Sequence, residues 1–399
     1  MSSPSFSPVH NWQKKTGLFL VSQNISLLGS SVVGYAILWH ITLETSSGWW
    51  LTLATIAFTV PGVIISLWGG VWADRYNRKR LIILADASVA LATLAVAIFF
   101  WFGFKSLELL LVASTFRSLG GGVQAPAVNA IYTQLAPPEQ LARVQGLNQS
   151  LGSVSTLLAP VLGGLILGLV GLEAAFMVDV LTAAAAMIIL GRIKIPPTES
   201  GAVGSTWVEM RAGLAYAWGE RPLRRLLICI GLFFFLVTPA AILTPLMVAR
   251  SFGPEVWRLT ANEAVWSLAS FAGGIFVARH GDFEDKPRTL AICLAAFGLF
   301  FGLLGLAENF ILYLTLMGLA GFFLPVYVTA ETVFIQQTAD PAKLGRVFSI
   351  SQILSSSAMP AAILVFGPLA DLVSVESLLI VSGLMLLSLA GAYYAAGRA

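Results

Sequence analysis

Apolar runs of roughly 20 residues recur along this 399-residue chain from end to end, separated by short polar connections. Each run is long enough to cross about 30 Å of hydrocarbon as a helix. Hydrocarbon offers no partners to backbone N–H and C=O groups, so a spanning chain must be helical or a closed barrel. The runs do not alternate strictly between apolar and polar residues, which excludes a barrel. Composition agrees: 57% of the residues are hydrophobic and 11% are charged, less than half of the roughly 25% charge a soluble domain carries. The chain reads as an all-α polytopic membrane protein.

Twelve spans are expected, over 17–43, 48–73, 81–102, 107–131, 145–169, 172–192, 225–249, 259–279, 289–307, 309–333, 347–369 and 375–396. Ser2–Lys15 lacks an apolar core followed by a small-residue cleavage site, so the first span itself is expected to direct insertion. With the N-terminus assigned to the cytoplasm, 19 of the 23 Lys and Arg residues fall on the cytoplasmic side. Lys105, Arg250 and Arg258 remain outside, and Arg117 lies within a span. The positive-inside rule therefore places both termini in the cytoplasm. The densest basic connection is Gly69-Gly70-Val-Trp-Ala-Asp74-Arg75-Tyr-Asn77-Arg78-Lys79-Arg80, whose shortness makes the second and third spans antiparallel neighbours.

The largest polar interruption covers 193–224, with Pro196-Pro197, a Gly/Ser stretch and a helically spaced Trp207–Trp218 that is expected to form an interfacial amphipathic helix. It divides the chain into an N-terminal bundle, 1–192, and a C-terminal bundle, 225–399, of six spans each. An internal repeat supports the division. Gln134-Leu-Ala-Pro-Pro-Glu-Gln-Leu-Ala-Arg-Val144 aligns without gaps on Gln337-Thr-Ala-Asp-Pro-Ala-Lys-Leu-Gly-Arg-Val347. Gly273-Gly274-Ile-Phe-Val-Ala278-Arg279 echoes Gly69–Arg75 at a near-equal offset but has lost the acid. Two such halves are expected to be related by an axis along the membrane normal.

These features resemble the major facilitator superfamily over nearly the whole chain. Gly70-x-x-x-Asp74-Arg75-x-Asn77-Arg78-Lys79 is similar to the family's loop 2–3 motif, with Asn77 where glycine is usual; asparagine tolerates a left-handed backbone. Arg117-Ser-Leu-Gly-Gly121-Gly-Val-Gln-Ala125 resembles the motif whose arginine is associated with proton coupling. Ala159-Pro160-Val-Leu-Gly163-Gly164 resembles the antiporter motif, with alanine for its first glycine. Arg117-Ser-Leu…Pro126-Ala-Val-Asn129-Ala, Phe176-Met-Val-Asp179-Val-Leu and Leu344-Gly-Arg-Val-Phe-Ser349…Ala358-Met-Pro360 look like the macrolide-efflux branch of bacterial drug:proton antiporters, and siderophore exporters share much of that pattern. The resemblance implies two pseudo-symmetric six-helix bundles in a bacterial cytoplasmic membrane. It also implies proton-coupled export of amphiphilic small molecules, such as macrolide-like drugs, by rocking of the bundles. A siderophore exporter, a lipid or lysolipid transporter and a non-transporting membrane sensor are the rival readings. The chain is expected to act as a monomer, without cofactor, metal, nucleic acid or enzymatic activity.

Away from the ends of the spans the acids are Asp86, Asp179, Glu263 and Glu331, and the sole cation is Arg117. A charge at the bilayer centre costs about 2.5–3.5 kcal/mol on insertion scales, so such residues face a cavity or a partner. Arg117 either poises a neighbouring carboxylate, or holds an anionic substrate group, or is a permanently paired structural cation. Asp179 and Glu263 are candidate proton carriers; the bland alternatives are a helix N-terminal acid and an interfacial cap. Asp86 is expected to join a structural or gating ion pair near Asp74 and the loop cations. Glu331 is expected to be solvated or paired, with coupling as the alternative. Gly70, Asp74, Arg75, Arg78 and Lys79 are expected to form a cytoplasmic gate, with Asp74 latching an arginine or a helix N-terminus.

Gly120, Gly121, Gly122, Gly163 and Gly164 permit close helix approach, while Pro160, Pro239, Pro325 and Pro360 remove backbone hydrogen bonds and allow bends. Gln23, Asn24, Asn148, Gln149 and Gln352, with aromatic residues including Phe235 and Tyr327, are candidates to line a substrate cavity. Cys229 and Cys293 sit in apolar runs, where a thiol behaves as a small hydrophobe. No P-loop, nucleophile elbow or zinc-ligand spacing occurs, which leaves ATP-driven transport and hydrolysis without residues.

Overall fold

The computed structural model describes residues 11–195, 214–281, 283–340 and 343–398. Twelve long helices follow one another: α1 (Trp12–Thr45), α2 (Gly48–Arg75), α3 (Arg78–Trp101), α4 (Leu107–Leu135), α5 (Leu141–Leu169), α6 (Leu172–Arg192), α7 (Arg221–Ile242), α8 (Val256–His280), α9 (Lys286–Leu304), α10 (Phe310–Thr338), α11 (Leu344–Leu369) and α12 (Val375–Arg398). No strand occurs among the described residues. Among the described residues, ten helices are long and apolar enough to cross a membrane. The other two, α4 and α8, have 29 and 25 residues, enough for about 43 and 37 Å at 1.5 Å per residue. They fall short in apolarity alone, because they carry Arg117 and Gln124, and Arg258 and Glu263.

Local chemistry sets the helix boundaries. Asn77, Ser106, Asp285 and Asn309 cap α3, α4, α9 and α10 by accepting a backbone N–H three residues on, as small polar residues do at helix N-termini. Asn77 thus departs from its sequence reading: its φ of −64° is not left-handed, and its side chain accepts from Arg80 N. The connection from α5 to α6 is only Val170-Gly171, and Gly171 has φ +111°, which a side chain would resist.

The expected seventh span, 225–249, is not one continuous helix. After α7 comes a short helical turn, Thr244–Met247, and a π-helical turn, Val248–Phe252. Pro245 lacks the N–H that would bond the carbonyl four residues back, and it disfavours the helical conformation of Thr244 before it. Pro160, Pro239, Pro325 and Pro360 all lie inside helices. The expected interfacial helix over Trp207–Trp218 lies outside the described residues up to 213; residues 214–219 are helical.

The chain forms two compact units, Met1–Ile41 with Leu53–Ala202, and Thr42–Thr52 with Val203–Ala399. They are built alike. α3 packs on α4 and α6 in the first unit, and α9 packs on α10 and α12 in the second. α4 ends at Leu135 and α10 at Thr338, 203 residues apart; α5 starts at Leu141 and α11 at Leu344, again 203 apart. Glycine contacts repeat as well. A Cβ on Gly69 of α2 would lie 2.7 Å from the Gly122 carbonyl of α4, and one on Gly273 of α8 would strike the Phe322 carbonyl of α10. Backbones meet there directly, the small-residue packing that serves where lipid supplies no hydrophobic drive. Gly70 and Gly274, one position along, face open space.

Gly273→Ala is accordingly expected to destabilise the detergent-solubilised protein by about 1–3 kcal/mol through overpacking. Gly274→Ala should be neutral or stabilising, since it meets nothing and gains up to about 1 kcal/mol of helix propensity. Equal thermal midpoints for the two variants would rule out the direct α8–α10 backbone contact.

Candidate functional site

The first unit buries a polar network in stacked layers. In one layer, Arg117 of α4 forms an ion pair with Asp179 of α6, their side chains 4% and 1% exposed. Arg117 Nη1 donates to Asp179 Oδ2 and, at 2.7 Å, to the Thr93 hydroxyl of α3; Nη2 donates to the Ser30 carbonyl of α1 at 2.9 Å. The Ser30 and Thr93 hydroxyls donate to Asp179 Oδ1 and Oδ2, each at 3.0 Å. Four helices therefore meet at one neutralised pair, and both carboxylate oxygens have charged and hydroxyl donors.

Seven residues away on both α3 and α4 lies the next layer. Two helical turns, about 10.5 Å of rise, return Asp86 to the face of Thr93 and Gln124 to the face of Arg117. Asp86 Oδ1 accepts from Ser26 Oγ at 3.0 Å and from Gln124 Nε2 at 2.9 Å, while Gln124 also reaches Gln23 Oε1 at 3.3 Å. Asp86 is 5% exposed. Among the described residues it has no cation, and its Oδ2 is buried without a hydrogen-bond partner. The ion pair expected for Asp86 is therefore corrected: its donors are a hydroxyl and an amide, while Arg78 and Lys79 of the loop turn to backbone carbonyls. A third layer joins Tyr132 and Asn24 to Asn148 Oδ1, at 2.9 and 3.5 Å.

The other sequence candidates separate. Asp74 pairs with Arg78 at 3.6 Å, an i,i+4 pair on its own loop. Arg78 also donates to the Ala73 and Ala130 carbonyls. Lys79 donates to the Gly191 and Ile193 carbonyls at 2.7 and 2.8 Å, placing a cation where the end of α6 is electronegative. Arg75 is exposed, and Gly70 meets nothing. A Cβ on Gly163 would lie 3.0 Å from the Val32 carbonyl of α1; Pro160 lies within α5, and Gly164 is buried. Gln149 and Gln352 are exposed, and Gln352 donates to Ser356 Oγ. Phe235 packs on Phe366, and the buried Tyr327 packs on Phe233. Glu331 accepts from Ser351 Oγ at 2.7 Å. Asp179 and Glu263 both sit two turns inside their helices, so neither the N-terminal nor the capping alternative describes them.

Sequence reading missed the most connected polar cluster of the second unit. Asp371, beyond the end of α11, accepts from Gly48 N at 2.7 Å, Trp49 N at 2.8 Å and Ser47 Oγ at 2.9 Å, and pairs with Arg250 at 2.9 Å. Arg250 also donates to the Ser46 and Ala370 carbonyls. Asp371 thus caps the N-terminus of α2 from more than 320 residues away in sequence, a separation no local pattern could reveal. Partial burial opposes its ionisation, but the Gly48 and Trp49 N–H groups, the Ser47 hydroxyl and Arg250 together hold its carboxyl below the usual range.

Residues 19–362 match the sequence profile of the Major Facilitator Superfamily. Macrolide efflux protein A of Streptococcus pyogenes is 26% identical over 386 residues, spanning 96% of this chain and 95% of that one. Enterobactin exporter EntS of Shigella boydii is 24% identical over 359 residues, spanning 85% and 82%. A crystal structure of a bacterial homologue of the iron transporter ferroportin superposes with a TM-score of 0.74 at 14% identity, covering 96% of this chain and 99% of that one, a likeness of fold.

Two outcomes follow from this geometry. Asp179→Ala leaves Arg117 buried without its counter-charge and is expected to cost about 3–5 kcal/mol, whereas removing both charges with Arg117→Met/Asp179→Leu should recover most of that loss; thermal unfolding of the three proteins compares them. Asp371→Ala should cost about 1 kcal/mol, as loss of a helix cap does. Since the folded-state pKa of Asp371 is depressed, its stabilisation is present above the unfolded value, about 3.9, and is lost as pH falls through the folded one. The gap in thermal midpoint between wild type and Asp371→Ala should hold constant from pH 8 to about 5 and close only below about 4.

Proposed function

The chain belongs to the Major Facilitator Superfamily, and from that premise we propose that it is a proton-coupled exporter of amphiphilic small molecules with Asp86 as its proton carrier. The observation that carries this reading is the contrast between two buried acids in adjacent polar layers of the first unit. Asp179 is neutralised by Arg117 and two hydroxyls. Asp86, a layer away, has polar donors but, among the described residues, no cation, and one oxygen without a donor. A buried charge without a counter-charge is costly, and a proton removes that cost. An acid that cycles between charged and neutral forms within a set of hydroxyls and amides can take a proton from one side and yield it to the other. Arg117 and Asp179 then serve as the fixed pair that organises the four helices around it.

One charge crossing about 100 mV is worth roughly 2.3 kcal/mol, so a single carrier supports a gradient of nearly 50-fold. Alternating access by the two six-helix bundles, with both termini cytoplasmic in a bacterial inner membrane, completes the reading. The similarity to a macrolide efflux protein over almost the full chain supports a bulky amphiphilic substrate. The enterobactin exporter among the relatives supports a siderophore as the second reading.

Accumulation of a labelled macrolide in cells lacking their own pumps tests the proposal. Wild type should lower accumulation and an uncoupler should abolish the effect. Asp86→Asn should lose at least tenfold in uncoupler-sensitive export at equal membrane abundance. Undiminished uncoupler-sensitive export by Asp86→Asn would falsify the assignment, and export of enterobactin but not macrolide would select the siderophore reading.

A further inference from the structure

The second unit contains a cavity of about 200 Å³ lined by Phe233, Phe234, Trp266, Phe297, Phe301 and Glu263. Five aromatic residues form a connected part of its wall, and Val237, Met317, Leu324 and Met359 are among the aliphatic rest. Phe233 lies 5.1 Å from Phe234 and 5.2 Å from Phe297; Phe297 stacks on Phe301 at 5.5 Å, and Trp266 on Phe301 at 6.2 Å, centroid to centroid. Into this apolar enclosure α8 projects a single acid. Glu263 Oε1 accepts from Asn262 Nδ2 at 3.2 Å, and Asn262 is itself held by the Tyr313 hydroxyl at 2.8 Å. The other carboxylate oxygen has no donor, and Glu263 has no cationic partner among the described residues. Arg258, the cation nearest to it in sequence, is committed to Glu255 and to the Phe252 carbonyl.

We propose that this cavity binds the cationic amine portion of a ligand, a protonated or quaternary aliphatic ammonium group. Each feature of the cavity selects for it. Glu263 lines the cavity with one oxygen held by Asn262 and no donor on the other, so its charge lacks compensation there. Aromatic faces carry negative quadrupoles that attract an ammonium group, and aromatic enclosures are how proteins hold quaternary ammonium ligands. Neutral hydrocarbon would leave the acid uncompensated, and an anion would be repelled. The volume lies below the roughly 300–1,000 Å³ of pockets that enclose a drug-sized ligand, so the site takes the ammonium-bearing part of a large amphiphile and not the whole. As an account of substrate class, this rests on the transport reading above; as a statement about binding, it does not.

Benzyltrimethylammonium and its uncharged carbon isostere, neopentylbenzene, separate charge from shape, and the permanent cation removes ligand protonation as a variable. Saturation binding of radiolabelled benzyltrimethylammonium to the purified full chain in neutral detergent should be saturable, with the isostere competing at least tenfold more weakly. Glu263→Gln should abolish that preference while Glu263→Asp retains it. Because the preference is a ratio within each variant, a reduced folded fraction cancels. Absence of saturable binding, equal competition by the isostere in wild type, or an unchanged preference in Glu263→Gln would each overturn the proposal. No proton gradient is present, so failure here leaves Asp86 and the transport reading untouched, and failure of transport leaves this site standing.

Discussion

A guanidinium buried among membrane helices needs its charge and its hydrogen bonds met by protein, and Arg117 has the charge and both terminal nitrogens met by three other helices, its Nε alone lacking a partner. Asp179 on α6 supplies the counter-charge, Thr93 on α3 a hydroxyl, and Ser30 on α1 a carbonyl. None of the three can be supplied by lipid. The need to satisfy one side chain thus fixes which faces of α1, α3, α4 and α6 turn inward. The heptad spacing along α3 and α4 then carries Asp86 and Gln124 onto the same buried line. Polarity inside the first unit is in this sense one decision repeated in layers.

The second unit has the same helix order and the matching Gly273 contact but, among the described residues, no buried arginine. Its two span acids are handled differently, Glu331 by the Ser351 hydroxyl and Glu263 by the Asn262 amide. Without a fixed counter-charge there is nothing to lock Glu263 into a network, and aromatic side chains surround it instead. The repeat therefore preserves packing, which small residues enforce backbone against backbone, while letting the polar chemistry of its two copies diverge. Gly69 and Gly273 kept their role because a Cβ would strike a carbonyl; no comparable contact protects an acid at the position of Asp74.

Spans were legible because a helix in hydrocarbon needs a certain length of apolar sequence, and ten helices meet that condition plainly. Arg117 and the four acids were legible as expensive residues. Their partners were not, since Arg117 meets Asp179 across 62 residues and Asp371 meets Gly48 across 323. Asp86 shows the failure most clearly. Its nearness in sequence to a basic loop suggested an ion pair, but Arg78 and Lys79 turn to carbonyls at helix ends, and Asp86 turns to an amide on α4. Asn77 fails for a related reason: the residue type allowed a left-handed turn, and the start of α3 needed a cap more.

Sequence alone determined that this chain is a bundle of membrane helices, where most of them begin and end, that it is built twice over, and which few charges had to be accounted for. Those are consequences of length, hydropathy and local capping, which act within a helix or across a short loop. Tertiary structure decided which acid is neutralised and which is left with a free oxygen, where span seven breaks, and which aromatic residues enclose Glu263. These depend on which helix faces meet, and a hydrogen bond or ion pair formed inside a low-dielectric bundle is governed by ångström-scale distances between residues far apart in the chain.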